Sequence, residues 1–451
     1  MTSNTALQRA IYTYTHLAML YHSTKNYHVS ATISEAILHG YAPDGGLYLP
    51  ETIPTLPQAF IRNLSNMTLQ EVSYAIANYA LQGDIDAQVL HDVVFETLNF
   101  PIPLVNVGGE RHVLELFHGP TMSFKDIGAR FMARLISHYY ARKGNGEINV
   151  ISATSGHSGG AIANGFYGIE GIHVYILFPH GQLSPLQRAQ FSTLGKNITA
   201  IEVNGTITDC KKMALEAFHD PDLADKMLLT SAKSVNIARL LPQMFYYFWA
   251  YAQLAKQGKN PGEMVVAVPC GNLGNLTAGV MAQRMGLPIK RFLIADNKND
   301  IFASYLHTGK FVTREAERSV AIAMDCGNPR NFPRLEQLLG SHANMCKIME
   351  GFSYSDERII STIANTWHRE HYLLNPHSAT AYQALIDGLR PGEIGVALGT
   401  SHPAKAKLTV DRATGTSVDI PETLMRFFNG FGHITTINSG YTSLKKFLLM
   451  Q

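Results

Sequence analysis

Apolar positions over much of the chain form short runs that alternate with amphipathic stretches. Between residues 148 and 220, strand-like runs at Val150–Ser152, His173–Phe178 and Ile198–Val203 are followed by segments with helical spacing. These helical segments are Ser158–Tyr167, Pro185–Thr193 and Ile207–Phe218. Strands that alternate with helices are typical of βαβ units, so this part of the chain predicts a parallel sheet covered by helices.

The same alternation returns after residue 260 and predicts a second α/β unit. Its strands are predicted at Met264–Val268, Arg291–Ala295 and Gly395–Leu398, and its later helices at Ile359–His371 and Ser378–Leu389. A glycine-rich turn and a helix are predicted over Gly271–Met285. Between the two units, Asn236–Ala255 carries aromatic and apolar residues all round, which predicts one long buried helix.

The first hundred residues differ from the rest of the chain, because helical periodicity dominates there and few strand-like runs occur. The predicted helices are Ala6–Leu20, Ile33–Gly40, Asn66–Leu81 and Ala87–Leu98, with a turn and a short strand over Tyr41–Pro50. We therefore predict an α/β protein with three domains. These are a mostly helical N-terminal domain (1–105), a large α/β domain (106–140 and 230–451) and a small α/β domain (141–229).

Composition narrows the function classes. The 451 residues are 46% hydrophobic and 16% charged, with a net charge of +2 and no run of like charge, so neither nucleic acid nor a membrane surface is indicated as a partner. No apolar run is long enough to span a bilayer. The four cysteines show no paired spacing, which predicts no disulfide framework, no metal site and a reducing, cytoplasmic location.

One lysine has the surroundings of a nucleophile. Lys125 follows the turn Gly119-Pro120 and precedes the apolar helical repeat of residues 127–136, so a loop leads into a helix at this position. Burial and a positive helix end both favour the neutral amine, the form that attacks an aldehyde. A solvated lysine at a helix start is the alternative that this stretch alone leaves open.

Three further turns join a strand to a helix or end a strand. Residues 152–161 and 268–279 are rich in small residues, and free backbone N–H groups at such helix starts can bind a carboxylate or a phosphate. In the second turn, Gly271 and Gly274 fit neither a dinucleotide fingerprint nor a P-loop, which favours a cup for one phosphate. The third turn places Thr400 at a strand end, where open α/β sheets bind ligands. Taken singly, ordinary packing or helix capping explains each turn as well.

A reactive lysine, a phosphate cup and a hydroxyl at a strand end together indicate a pyridoxal-phosphate site. With these motifs, the chain resembles the threonine synthase family, in its longer form with an added N-terminal domain. That family has fold type II, the tryptophan-synthase-like fold of pyridoxal-phosphate enzymes. The stretches that carry the resemblance are Ser23–Lys25, Ala42–Tyr48, Leu114–Asp126, Ala153–Ala161, Pro179–Gln187, Val268–Gly279, Pro376-His377 and Leu398–Lys405.

The resemblance implies a role for each matching residue. Lys125 would attach to the cofactor aldehyde and later move protons, and Thr400 would hydrogen-bond the pyridine nitrogen. The cofactor phosphate would be held by Gly271, Asn272, Leu273, Gly274 and Asn275, and the substrate by Ser155, Gly156, His157 and Ser158. The implied reaction converts O-phospho-L-homoserine and water to L-threonine and phosphate, in a monomer or homodimer.

Several positions depart from the family pattern, and most lie on the substrate side. His157 and Asn275 stand where aspartate is common, Asn375 where an acidic residue precedes Pro376-His377, and Ser158 and Gly160 where threonine and alanine are usual. Lys25 replaces a common arginine. Two alternatives therefore stay open: a phospho-lyase that eliminates phosphate and releases a keto acid, and a non-catalytic relative. Retention of Lys125, the cup and Thr400 disfavours the second.

Overall fold

The computed structural model describes residues 19–81, 83–140 and 147–450. The predicted helix over residues 6–20 lies, apart from its last two residues, outside the described part of the chain. Within that part, no helix is both long and apolar enough to cross a lipid bilayer. No three His, Cys, Asp or Glu side chains of the described residues cluster so that they could hold a metal ion.

Fourteen strands of the described residues form three sheets. The strands are β1 (Tyr21–Ser23), β2 (Ser30–Ala31), β3 (Tyr48–Pro50), β4 (Leu104–Gly108), β5 (Arg111–Glu115), β6 (Ile148–Ala153), β7 (Ile172–Pro179), β8 (Ile198–Asn204), β9 (Leu228–Thr230), β10 (Met264–Pro269), β11 (Arg291–Asp296), β12 (Met349–Ser353), β13 (Ile394–Gly399) and β14 (Ile434–Asn438). A six-stranded sheet has the order β12-β11-β10-β13-β5-β4, a five-stranded sheet β14-β8-β7-β6-β9, and a small sheet β2-β1-β3.

Both larger sheets are parallel, apart from the antiparallel edge strand β4, so the two predicted α/β units are confirmed. The small antiparallel sheet adds β1 and β2 to the N-terminal strand that the sequence predicts. The five-stranded sheet takes its edge strand β14 from the C-terminal segment, which the predicted division gives to the large domain. Strand β14 is only half-buried and has little apolar pattern to reveal its partner.

Helices cover the faces of the sheets. The α-helices are Ile33–His39, Gln58–Asn63, Leu69–Leu81, Ala87–Thr97, Lys125–Tyr139, His157–Phe166, Pro185–Ser192, Ile207–His219, Pro221–Ala224, Ile237–Leu240, Phe245–Lys256, Gly274–Arg284, Ile301–Thr308, Phe332–Leu339, His342–Ile348, Asp356–Glu370, Pro376–Gly388, Lys407–Thr414, Glu422–Met425 and Tyr441–Leu448. Capping boxes at Thr32, Ser184 and Thr206 begin three of the predicted helices where local sequence alone sets the start.

The predicted helix Asn236–Ala255 is divided in the structure. An α-helix over Ile237–Leu240 passes into a 3-10 turn over Leu241–Met244, and a second α-helix runs over Phe245–Lys256. Pro242 explains the division, because proline has no N–H for the helical hydrogen bond and its ring crowds the preceding turn. The prediction of one continuous helix was therefore wrong, although the stretch is buried as expected.

The middle of the six-stranded sheet positions the site. Every residue of β10 and β13 is buried, and both strands are flanked by parallel partners. Because β5, β13 and β10 run in the same direction, the loops that follow them all leave from one edge of the sheet.

Candidate functional site

The loop after β5 carries Lys125 to the end of β13. Leu116 N–H donates to Gly399 O at 2.8 Å, Phe124 N–H to Thr400 O at 3.0 Å, and His402 N–H to Met122 O at 3.2 Å. The helix that follows begins at Lys125 itself. These backbone bonds bring two predicted site residues, Lys125 and Thr400, to the same place.

Lys125 lies in surroundings that favour its neutral form. Its Nζ donates a hydrogen bond to Ser158 Oγ at 3.3 Å. Burial, and then the cations of Arg239 and Lys405, lower the pKa of Lys125 to about 7. A lysine with this pKa is substantially uncharged at neutral pH and can act as a nucleophile.

The turn before Lys125 is held by a buried carboxylate and a second lysine. Asp126 accepts hydrogen bonds from Thr121 N–H at 2.8 Å and from Thr121 Oγ1 at 2.5 Å. Lys405 Nζ donates to Thr121 O at 2.6 Å and to Gln190 Oε1 at 3.3 Å. Gln190 lies on a helix that flanks the five-stranded sheet, so this network joins both larger sheets to the lysine loop.

The predicted phosphate cup lies at the start of the helix Gly274–Arg284. Leu273 has left-handed backbone (φ 59°) and is followed directly by the first helical residue. A helix start leaves its first N–H groups without intrahelical acceptors, so they are available to an anion. A Cβ at Gly271 would lie 2.9 Å from the backbone of Met324, so only glycine fits this close approach. A segment from further along the same chain contacts the cup, because Arg330 N–H donates to Asn272 Oδ1 at 2.7 Å.

Asn275 is held in the cup by two tyrosines behind it. Its Oδ1 accepts hydrogen bonds from Tyr246 OH at 2.6 Å and Tyr247 OH at 2.9 Å. Its Nδ2 is buried and has no hydrogen-bond partner among the described residues. The side-chain amide of Asn275 thus accepts a hydrogen bond from each tyrosine hydroxyl without adding a negative charge to the cup.

One cavity of about 410 Å³ unites these groups. It is lined by Lys125, by all five cup residues from Gly271 to Asn275, by Thr400 and by Ser158. Ser155 and Gly156 are not part of its lining; Ser155 is exposed, and Gly156 has φ 123° beside the Gln187 carboxamide. His157 is the first residue of the helix His157–Phe166, and its side chain lies outside what the structure describes.

The cavity also contains residues to which the sequence analysis gave no role. Arg239, Gln243 and Ser234 come from the segment around the Pro242 turn, and Ala323, Met324 and Asp325 from an irregular stretch that carries no periodic signal. His377 lines it from the helix Pro376–Gly388. The Pro376-His377 dipeptide belongs to the matching stretches and could have identified the histidine, whereas nothing local distinguishes Arg239 from an ordinary helix residue.

The residues present fit a cofactor that has one phosphate and one aldehyde. The donors at the cup are backbone N–H groups together with the orphaned Asn275 Nδ2, and close packing at Gly271 shapes a shallow cradle. The nucleophile that an aldehyde requires is Lys125, in the same cavity. Thr400, buried at 6% exposure, adds a neutral hydroxyl.

Comparisons with known proteins show which family the chain resembles over most of its length. The family model described as pyridoxal-phosphate dependent enzyme matches residues 106–397, and the model of the threonine synthase N terminus matches residues 20–98. The chain is 41% identical to the threonine synthase of Haemophilus influenzae over 393 residues, covering 87% of this chain and 91% of the relative. It is 37% identical to that of Escherichia coli over 406 residues, covering 90% and 94%.

Solved structures of threonine synthases are similar to this chain over almost its whole length. The crystal structure of threonine synthase from Escherichia coli superposes with a TM-score of 0.86 at 35% identity, covering 96% of this chain and all of the other. The structure of pyridoxal-phosphate-bound threonine synthase from Brucella melitensis superposes with a TM-score of 0.90 at 30% identity, covering 95% and 98%. The similarity therefore extends over both larger sheets and the N-terminal unit.

Proposed function

The chain belongs to the threonine synthase family of fold type II pyridoxal-phosphate enzymes, and we propose that the cavity at Lys125 converts O-phospho-L-homoserine and water to L-threonine and phosphate. The observation that carries the residue-level proposal is the convergence of Lys125, the Gly271–Asn275 cup and Thr400 on one cavity. Pyridoxal phosphate supplies an electron sink that makes the hydrogens next to the substrate amine acidic.

Lys125 serves as the attachment point and as the base. With a pKa near 7, its amine can both take and return a proton close to neutral pH. In this reaction the amine, once the substrate amine has displaced it, would take the proton at Cα and give it up before it takes one at Cβ. Phosphate would then leave from Cγ, and water would add at Cβ. Ser158 Oγ, 3.3 Å from Lys125 Nζ, orients the amine for these transfers.

Thr400 is proposed as the partner of the pyridine nitrogen. A hydroxyl donates a hydrogen bond to that nitrogen, whereas a carboxylate would keep it protonated. The cup residues Gly271–Asn275 are proposed to hold the cofactor phosphate through backbone N–H groups. Ser155, Gly156, His157 and Ser158 are proposed to bind the substrate carboxylate at the start of the helix His157–Phe166, and Ser158 is the member of this set that lines the cavity.

Arg239 has the features of a receptor for the substrate phosphate. It is 4% exposed and lines the cavity, and within the described chain its guanidinium donates one hydrogen bond, from Nη1 to Ala232 O at 2.8 Å. Arg334, which is fully buried, donates three hydrogen bonds, to Tyr48 O and Asn331 Oδ1. A guanidinium carries five N–H donors, so that of Arg239 retains several for a dianion that enters the cavity.

The test is an assay of both products. Purified holoprotein given O-phospho-L-homoserine is expected to release phosphate and L-threonine in equal amounts, and Lys125→Ala is expected to release neither while it still folds. Phosphate release with a keto acid instead of threonine would indicate the phospho-lyase. Absence of both products from the wild-type holoprotein would indicate a non-catalytic relative.

Three further predictions remain proposals. We propose that the chain acts in the cytoplasm, as a monomer or homodimer, on small molecules rather than nucleic acid. The domain division at residues 1–105, 141–229 and the remainder is also proposed, with β14 as a strand that the C-terminal segment contributes to the five-stranded sheet. Limited proteolysis and gel filtration with light scattering would test the division and the oligomeric state.

A further inference from the structure

Asn375 and His377 form a buried pair at the start of the helix Pro376–Gly388. Asn375 is 1% exposed and His377 5%, and the imidazole lines the cavity described above. Asn375 Oδ1 accepts hydrogen bonds from His377 N–H at 3.1 Å and from His377 Nδ1. The proposed mechanism gives neither side chain a role, although asparagine at position 375 departs from the acidic residue of the family pattern.

Two independent contacts place the imidazole proton on the same nitrogen. Asn375 Nδ2 donates to His402 O at 3.2 Å, so the opposite end of the amide must be the acceptor, and His377 Nδ1 must carry a hydrogen. On the other side of the ring, Ala323 N–H donates to His377 Nε2 at 3.0 Å, which requires a lone pair on Nε2. His377 is therefore held as the neutral Nδ1–H tautomer.

The backbone N–H that donates to His377 belongs to a turn that lies against the cup. Ala323, Met324 and Asp325 form a turn that lines the cavity, and the Met324 backbone is 2.9 Å from where a Cβ of Gly271 would stand. The other side of the turn is anchored through Asp325, which accepts hydrogen bonds from Asn297, Asn299 and Ser319. The bond from Ala323 N–H to His377 links this turn to the helix Pro376–Gly388, beside a longer bond from Thr380 Oγ1 to Met324 Sδ at 3.8 Å.

We propose that His377 is a positioning residue that holds the Ala323–Asp325 turn against the Gly271–Asn275 cup. We further propose that Asn375 makes the hydrogen bond from Ala323 N–H to His377 independent of pH. An acidic residue at position 375 would favour the imidazolium, which cannot accept the Ala323 N–H, and an ionised carboxylate could not donate to His402 O. The role rests on the proposed cofactor site, but not on which amino acid the enzyme releases.

The charges around the ring agree with a neutral imidazole. Burial, and then the cations of Lys125 and Lys405, lower the pKa of His377 to about 3. Asp325, two residues after Ala323, is the acidic side chain of the turn that His377 contacts, and burial raises its pKa. His377 thus stays uncharged over the whole range in which Lys125 titrates.

The decisive experiment compares pyridoxal-phosphate affinity of Asn375→Asp with that of the wild type as pH is lowered. The dissociation constant is read from the absorption of the Lys125-bound cofactor, so no turnover is needed. The ratio of the variant's constant to that of the wild type is expected to rise by about tenfold between roughly pH 8 and pH 6, as the new carboxylate lets His377 protonate. A constant ratio would overturn the proposal.

Two variants at position 377 provide the control. His377→Gln keeps an acceptor for Ala323 and a donor for Asn375, and should bind the cofactor within about threefold of wild type, whereas His377→Leu should lose about tenfold. Equal weakening in both, or a Gln variant that keeps affinity but loses kcat alone, would overturn a positioning role. If wild type formed no threonine, the proposed function would fail while these affinities still decided the inference.

Discussion

At the residue scale, the site depends on one amine whose charge is controlled by its neighbours. Lys125 has a lowered pKa because it is buried and because Arg239 and Lys405 place positive charge beside it. Arg239 would therefore act twice, as a phosphate receptor and as the cation that keeps the amine neutral. This double role is testable, because pH separates the two effects.

We expect the rate at which the apo-protein takes up pyridoxal phosphate to follow the neutral fraction of Lys125. The rate should rise with pH and level off above a midpoint of about 7. Arg239→Gln removes a neighbouring cation, so the pKa rises and the midpoint should move to higher pH. Arg239→Lys keeps the charge and serves as the matched control. Superimposable profiles for Gln and Lys variants would contradict the electrostatic role.

Thr400→Val should separate turnover from cofactor binding. Valine keeps the shape of threonine but loses the hydroxyl proposed to contact the pyridine nitrogen, so kcat should fall about tenfold while cofactor affinity changes less. The neighbouring Ser401→Ala is the control, because Ser401 Oγ is buried without a hydrogen-bond partner in the described chain. A Thr400→Val enzyme as active as Ser401→Ala would refute the assignment.

His157 marks the clearest departure from the family pattern, and it begins the helix His157–Phe166. An acidic residue in a first helical turn interacts favourably with the helix dipole, so His157→Asp should raise the free energy of unfolding by about 0.3–1 kcal/mol. If backbone N–H groups do the binding, His157→Asp and His157→Ala both retain threonine formation. Loss of turnover and of one limb of the pH profile in both variants would instead give the imidazole a direct role. Threonine from the Asp variant alone would identify the wild type as a phospho-lyase.

At the scale of elements, the proposed cup forms where a helix start meets a turn from a distant part of the chain. The helix Gly274–Arg284 begins directly after left-handed Leu273, and Met324 closes against Gly271. The two glycines are therefore not equivalent. Gly274 has more room, since a Cβ there would first meet Asn331 Nδ2 at 3.4 Å.

Gly271→Ala should weaken cofactor affinity more than Gly274→Ala. The added methyl at position 271 would press on Met324 backbone atoms at 2.9 Å and displace the turn, whereas at position 274 it meets a side-chain amide at ordinary contact distance. Equilibrium titration of each apo-variant with pyridoxal phosphate measures the difference. Equal affinities would show that the close approach at Gly271 does not shape the cup. Gly274→Val, which is bulkier and β-branched, is expected to weaken binding more than Leu273→Met.

At the scale of the whole molecule, the lysine loop is the junction of the two larger sheets. Gln190, from a helix on the five-stranded sheet, and Lys405, after strand β13, both donate to Thr121 O. The same Gln190 explains Gly160, where the family pattern has alanine. A Cβ at Gly160 would lie 2.9 Å from Gln190 Oε1 and 3.0 Å from Gln190 Cβ.

Gly160→Ala is accordingly expected to lower the free energy of unfolding by about 1 kcal/mol, because it displaces the buried Gln190 amide. In a Gln190→Ala background the contact with Oε1 is removed while the 3.0 Å contact with Cβ remains, so the same substitution should cost less. A double-mutant cycle from urea denaturation measures the coupling between the two positions. Additive effects would show that the two side chains do not compete for the same space.

Local sequence was enough to predict many of the elements and to single out the turns that are proposed to hold the cofactor. Periodicity and capping residues predicted about half of the strands and most of the longer helices to within a few residues, because caps and the buried side of an element are set by residues close along the chain. The motifs around Lys125, Gly271–Asn275 and Thr400 were recognisable for the same reason, since each is a contiguous turn. The family comparisons confirmed the fold, the function and the cofactor that these motifs indicated.

Tertiary structure decided what no contiguous stretch contains. Arg239 lines the cavity from the short helix Ile237–Leu240, and Ala323–Asp325 reaches the cup through a stretch without periodicity. The tautomer of His377, the space at Gly160 and the place of β14 each depend on a partner far along the chain: Ala323, Gln190 and β8. A pattern of apolar positions records which side of an element is buried, but it does not record which other element covers that side.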